Sequence, residues 1–559
     1  MLRGRIRKDI EKAVSELVGK WAIGSEVQAR RDGEVEVSRP GNSEHGDYST
    51  NVALKVVTRD TKQGTRSEQS SVEFARKLAD SLKNQPYIEK LEVKDPGFIN
   101  FFVKDEIWQK QVSDVLKSAS GYGSNQTGKG KKARVEFVSA NPTGPLHFGN
   151  ARGGPIGDTL ASVLEFSGYR VLREYYHNDV GVQVEKLGQS IINVERGQKL
   201  EDQEYKGEYV RDLLDQISKN SKLETRNSKQ AGEKAVEILL KDVLKDCENM
   251  GIKFDKVQAE SELISSGKTK SAIDFLQKKK ALRKKDGAIW FVPRVDSGQA
   301  AKFLEDRESV VIKSDGDFTY FANDIAYHRF KFEDKPDLVI DIFGANHHGH
   351  VPRLKAVIQS LGYDTDKFRV ILYQWVRFKR GSEVVKMSKR SGTFVTVREV
   401  LDEVGRDALR FFILMHDANT HIDFDLSLAR EKSAANPVYY VQYAHARIAS
   451  ILRKANWKLE TGNWKPSHEL LTNNYELNLL KQISRFPEFV EDIAESFAVN
   501  QLTTYAVELA DSFHKFYENV QVLTEKKELR DARLALISAT QITLANTLKL
   551  LGVTAPEKM

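Results

Sequence analysis

Apolar side chains open this chain at helical spacing. Ile6, Ile10, Val14 and Leu17 fall on one stripe and predict an amphipathic helix. The pattern then shortens to runs of strand type at 90–93 and 98–103, so residues 1–110 read as a small α+β domain. A polar, glycine-rich stretch at 121–132 follows as a linker. Beyond it, 134–138 is strand-like, 157–166 helix-like and 171–176 strand-like, which predicts one βαβ unit. The same logic returns later, with a strand at 337–343, a helix at 352–361 and a strand at 368–373. Between these halves, about 190–300 is charged and helix-rich, and reads as an insertion outside the parallel sheet. From about 411 strand patterns vanish. Ile483, Phe486, Val490 and Ile493, and then 534–551, carry the stripes of helices packed in a bundle. The predicted protein is therefore multidomain, α/β plus all-α. A small α+β domain occupies 1–110, a doubly wound parallel-sheet (Rossmann-like) domain with a helical insertion 111–410, and a helical bundle 411–559.

Composition narrows the picture. A chain of 559 residues, 40% hydrophobic and 30% charged, has apolar material for several cores and is not a disordered type. The net charge of +7 is a mild excess, compatible with an RNA partner met on one face. A single cysteine, Cys247, excludes a disulfide framework within the chain, argues against a thiolate zinc site, and fits a reducing compartment. The N-terminus lacks the apolar core of a signal peptide, and Asp9, Glu11 and Glu16 do not suit a transit peptide. No apolar run approaches the roughly 18 residues of a membrane span. The expectation is a cytoplasmic protein, away from membranes, acting as a monomer.

Two segments carry candidate chemistry. Val138-Ser139-Ala140-Asn141-Pro142-Thr143-Gly144-Pro145-Leu146-His147-Phe148-Gly149-Asn150 sits where the first predicted strand gives way to its helix, the place where open parallel sheets bind ligands. Far downstream stands Lys386-Met387-Ser388-Lys389-Arg390. A His-x-Gly loop followed by a distant Lys-Met-Ser-Lys loop resembles the class I aminoacyl-tRNA synthetases. Further segments narrow the resemblance to the arginyl-tRNA synthetases. These are Arg173-Glu174-Tyr175-Tyr176-His177-Asn178-Asp179, the run Tyr320-Phe321-Ala322-Asn323-Asp324, and Asn436-Pro437-Val438-Tyr439-Tyr440.

The resemblance implies a two-step reaction. Arginine's carboxylate attacks the α-phosphate of ATP, and the terminal ribose of tRNA(Arg) then takes the arginyl group. It implies catalytic roles on the ATP phosphates for His147, Asn150, Lys386 and Lys389. Pro142, Gly144, Gly149, Gly344, His347, His348, Met387 and Ser388 would line the ATP site. Asn141 would hold the α-amino group or carboxylate of L-arginine, and Glu260, Tyr320 and Asp324 its guanidinium, a planar cation that calls for carboxylates. Tyr439, Tyr443 and Arg447 would meet tRNA, with His445 beside them. ATP would serve as substrate with Mg2+, with no tightly bound cofactor and no protein-held metal. His347, His348 and His350 without a cysteine make a poor zinc set. Two positions depart from the family pattern. Asn150 stands where a second histidine is usual, and Asn346 where aspartate is usual. An amide still donates a hydrogen bond but carries no charge. The alternative reading, a synthetase-like tRNA-binding protein with impaired catalysis, rests on Asn150.

Overall fold

A computed structural model of the chain describes residues 1–24, 27–29, 35–60, 68–220, 227–292, 308–381, 383–384, 395–457 and 467–559. They form two compact units. One comprises 1–122, 451–488 and 511–543, and the other 123–450, 489–510 and 544–559.

In the first unit the opening helix, Leu2–Gly24, buries Ile6, Ile10 and Val14 as its stripe requires. A three-stranded antiparallel sheet runs Tyr48–Thr50, Phe98–Val103, Ile88–Lys94. The sequence pattern separates residues 1–110 from the helical region, yet 451–488 belongs to this same unit. A partly buried polar cluster joins the two. Arg39 pairs with Glu488 at 2.8 Å, the Tyr48 hydroxyl donates to Glu488 Oε1 at 2.6 Å, and Trp108 lies buried beneath, stacked on Tyr48.

The second unit is built on five parallel strands: β1 (Lys132–Glu136), β2 (Arg170–His177), β3 (Lys256–Ala259), β4 (Leu338–Gly344) and β5 (Phe368–Tyr373). Their order is β5-β4-β1-β2-β3. From β1 the chain winds outward through β2 to β3, then returns to β4 on the other flank. The winding therefore reverses between β1 and β4, and the crevice at their C-terminal ends is the expected ligand site of such a sheet. The helix after β1, Gly153–Phe166, lies close on the sheet. A Cβ at Gly157 would fall 2.2 Å from the Phe137 ring.

Three expectations need correction. The region 190–300 is not wholly outside the sheet, because Lys256–Ala259 forms its edge strand, paired with β2. Four residues at an edge have only one neighbour to pair with and leave little periodicity to read. Strands do not vanish after 411. Ile422–Asp425 pairs in parallel with Val376–Arg380. A helix long and apolar enough to cross a membrane does exist among the described residues, Lys527–Leu551. However, 78% of its apolar window is buried inside the protein, as in a core helix.

Charged residues occupy the middle of the central sheet. Register aligns Asp341 of β4 with Glu136 of β1, and Glu136 with Glu174 of β2, a row of three acids across adjacent strands. Lys331 answers two of them, with its ammonium on Glu136 and 2.6 Å from Asp341. Arg134 answers the third through paired bonds of 2.7 and 2.5 Å to Glu174. Buried charge is tolerated only when matched in this way.

Candidate active site

After β1 the chain turns sharply off the sheet. Val138 and Ser139 take φ of +68° and +40°, which costs on the order of 1–3 kcal/mol per residue and must be held by surroundings. The holders are visible. The Ser139 hydroxyl donates to Glu136 at 2.8 Å and accepts the Tyr176 N–H at 3.1 Å. The Tyr175 hydroxyl donates to the Ala140 carbonyl at 2.6 Å. Asn141 is exposed and accepts the Asn178 N–H, while Pro142 is buried. Gly144 lies beside Tyr209, whose hydroxyl donates to the Thr143 carbonyl.

His147 caps the short helix Phe148–Ala151, which runs on through Arg152 into Gly153–Phe166. Its Nδ1 accepts the Gly149 N–H at 2.9 Å, so the neutral ring carries its proton on Nε2. Burial lowers its pKa and favours that neutral form. Gly149 is needed for the ring itself, since a Cβ there would lie 2.8 Å from two imidazole atoms. Asn150 has an exposed side chain, and its carbonyl accepts the Tyr373 hydroxyl at 3.0 Å. Arg152, deeply buried, donates to the carbonyls of Gln374, Asp417 and Thr420, and burial lowers its pKa to about 10. These bonds tie the His147 helix to the chain beyond β5.

Lys386, Met387, Ser388 and Lys389 lie outside the described residues. Where the described chain resumes, it lies against the His147 loop. The Phe148 N–H donates to the Val395 carbonyl at 2.9 Å and the Val397 N–H to the Leu146 carbonyl at 3.0 Å. Thr396 then caps the helix Val397–Leu414 in a capping box with Glu399. Residues 395–397, far from the His147 loop in sequence, are thus laddered to it.

On the other side of the crevice, β4 ends at Gly344 and Asn346, His347 and His348 are exposed on the following turn. His350 faces the neighbouring helix, Tyr320–Glu333, with Nε2 3.2 Å from Asp324 Oδ2. Thr319 caps that helix. Tyr320 is 60% exposed in its first turn, and Asp324 follows one turn on. Glu260 begins the helix directly after β3 and is 4% exposed. Asn323 donates to it at 2.5 Å. Burial raises the Glu260 pKa to about 7, with Asp324 and Asp179 adding and the Asn323 hydrogen bond opposing. Asp179 itself accepts the N–H and hydroxyl of Ser261. Glu260, Asp324 and Asp179 thus form a cluster of mutually repelling carboxylates. Among the described residues no group of three or more His, Cys, Asp or Glu side chains is arranged to hold a metal ion. Cys247 is buried, and burial pushes its thiol up to about 12, which disfavours the thiolate.

Tyr439, Tyr443 and Arg447 form a ladder on the helix Pro437–Lys454. The two rings are parallel at 6.1 Å, and the guanidinium lies 4.8 Å over Tyr443. All three are half-buried. His445 is different. It is buried and hydrogen-bonded to the Pro556 carbonyl at 2.8 Å, a structural contact rather than a base-stacking one. Sequence reasoning weighed His350 only as a zinc ligand and missed both its pairing with Asp324 and the Lys331 network. The acids that Lys331 and Arg134 answer were visible as charged residues inside strand-like runs, but their pairing needs the register.

Comparison with known proteins agrees with this geometry. Three family models match: the arginyl tRNA synthetase N terminal domain over 4–103, the class I (R) tRNA synthetase catalytic domain over 111–449, and the DALR anticodon binding domain over 441–559. An arginine–tRNA ligase of Citrifermentans bemidjiense is 42% identical over 94% of this chain and 95% of its own. One of Thermotoga maritima is 41% identical over 98% and 99%. Among solved structures, the Thermus thermophilus arginyl-tRNA synthetase superposes with a TM-score of 0.77 at 24% identity, covering all of both chains. A Campylobacter jejuni arginyl-tRNA synthetase structure gives 0.74 at 31% identity over 82% of this chain and all of that one. With the catalytic model spanning more than half the chain and relatives at this identity over nearly its full length, the chain belongs to the arginyl-tRNA synthetases of class I.

Proposed function

We propose that this crevice activates L-arginine with ATP and transfers it to tRNA(Arg), as an arginine–tRNA ligase in protein synthesis. The observation that carries this is the pair of carboxylates, buried Glu260 and part-buried Asp324, gathered with the His147 loop at the C-terminal end of one parallel sheet. An oxygen of the arginine carboxylate attacks the α-phosphorus of ATP, the bond to the β-phosphate oxygen breaks, and pyrophosphate leaves. A hydroxyl of the tRNA's terminal ribose then attacks the arginyl carbonyl, and AMP departs. ATP enters as its Mg2+ complex, a substrate rather than a resident cofactor. Neither step needs a covalent enzyme intermediate, so the protein's work is alignment and charge stabilisation.

His147, through Nε2–H, and Asn150, through its amide, donate to the phosphates as charge grows there. Lys386 and Lys389 supply positive charge to the leaving pyrophosphate, with Met387 and Ser388 in the ATP site. Pro142, Gly144, Gly149, Gly344, His347 and His348 line the nucleotide. Asn141 holds the α-amino group or carboxylate of arginine, and Tyr320, Asp324 and Glu260 hold its guanidinium. Tyr439, Tyr443 and Arg447 contact the tRNA, and the protein works as a cytoplasmic monomer.

Glu260 supplies a test. With its pKa near 7, a fraction of the carboxyl is protonated at neutral pH. A bound guanidinium favours the ionised form, so arginine binding releases a proton and tightens as pH rises from about 6 to 8. Calorimetry with arginine in buffers of different ionisation enthalpy is expected to show that release, and Glu260→Gln to abolish it. Lysine is expected to bind far more weakly. Equal affinity for lysine would overturn the reading.

A further inference from the structure

One buried polar atom in the carboxylate pocket is unmatched. Tyr176 is 9% exposed, and its hydroxyl meets no hydrogen-bond partner among the described residues. A buried hydroxyl left unpaired is costly, and calls for a partner that arrives from outside. The ring itself is firmly placed. It stacks face to face on Tyr327 at 4.4 Å and 16°, and its backbone N–H is held by Ser139. Tyr327 lies three residues beyond Asp324 on one helix, and hence on the same face. In β2 Tyr176 pairs with Gln258, two residues before Glu260. Strand register and helix spacing therefore place the ring near both carboxylates, whose charges act on the phenol.

We infer that the Tyr176 hydroxyl is a specificity-determining contact for arginine, accepting one N–H of the guanidinium at the floor of the pocket. The inference rests on the assignment of Asp324 and Glu260 to that guanidinium. A guanidinium has five N–H donors in a fixed plane, and carboxylates flanking it leave at least one to a further acceptor. A phenol suits that place. It accepts with a lone pair, and its own O–H remains to donate to a carboxylate. Burial and the charges of Asp324 and Glu260 raise its pKa, so it stays neutral at every working pH. A lysine ammonium, a compact point with three donors, leaves this hydroxyl unpaired, so the contact selects against lysine as well as for arginine.

The experiment is Tyr176→Phe, which keeps the stacked ring and removes one oxygen. In tRNA charging the arginine KM is expected to rise roughly tenfold to a hundredfold, with the ATP KM unchanged. Thermal stability is expected to hold or rise, because a buried unpaired group has gone. Asp324→Asn is run beside it. An impaired Asp324→Asn with an unchanged arginine KM in Tyr176→Phe would overturn this contact alone. Unchanged arginine use in both variants would overturn the pocket assignment and this contact with it.

Discussion

Replacing Lys331 by methionine is expected to cost about 3–5 kcal/mol of stability. The ammonium is fully enclosed, between Glu136 and Asp341. Burial opposes its charge, but the two carboxylates prevail and keep its pKa raised. Methionine fits the stem and supplies no donor, so two enclosed carboxylates would lose their cation. A drop in the urea midpoint of the second unit reads the loss. Adding Glu136→Gln and Asp341→Asn to the same chain should recover much of it, because the uncompensated charges go too. An unchanged midpoint in Lys331→Met would show that the network contributes nothing. Activity should fall along with stability. Glu136 also accepts the Ser139 hydroxyl that holds the strained turn into the His147 loop, and His328 links Asp341 to the carbonyl of Asp324.

Asp324→Asn is expected to raise the arginine KM roughly tenfold to a hundredfold while sparing ATP. A hydrogen bond to a charged partner contributes about 1.5–3 kcal/mol, and the amide keeps the shape but loses the charge. The existing contact to His350, at 3.2 Å, means that the carboxylate is already oriented before substrate arrives. Wild-type arginine kinetics in this variant would make Asp324 a structural partner of His350 and nothing more.

Much of this was legible along the chain. The βαβ pattern and the glycine- and proline-rich turn located the His147 loop, and the repeated strand–loop–helix located Gly344. Together these two loops mark where the sheet's winding reverses. Tyr320, Asp324 and Glu260 were picked out by the resemblance, with helical spacing adding only that Tyr320 and Asp324 share a face. What was not legible depends on three-dimensional register. The edge strand Lys256–Ala259 is too short to show a period, so Glu260 seemed to lie in an insertion when it stands at a strand's C-terminal end. Glu136, Glu174 and Asp341 are ordinary acids in sequence and become a row only when three strands align. Val138 and Ser139 take a left-handed backbone for which neither residue type carries a signal. Tyr176 looked like one more apolar strand position, and its unmatched hydroxyl appears only once its neighbours are known.

The most direct test of the whole account is charging. The protein is incubated with ATP, Mg2+ and total tRNA, with labelled arginine in one series and labelled lysine in another, and acid-precipitable label is counted. Arginine should enter the tRNA fraction only when ATP is present, and lysine should not enter it at a comparable rate. Failure to charge arginine, or charging of lysine at a similar rate, would contradict the assignment.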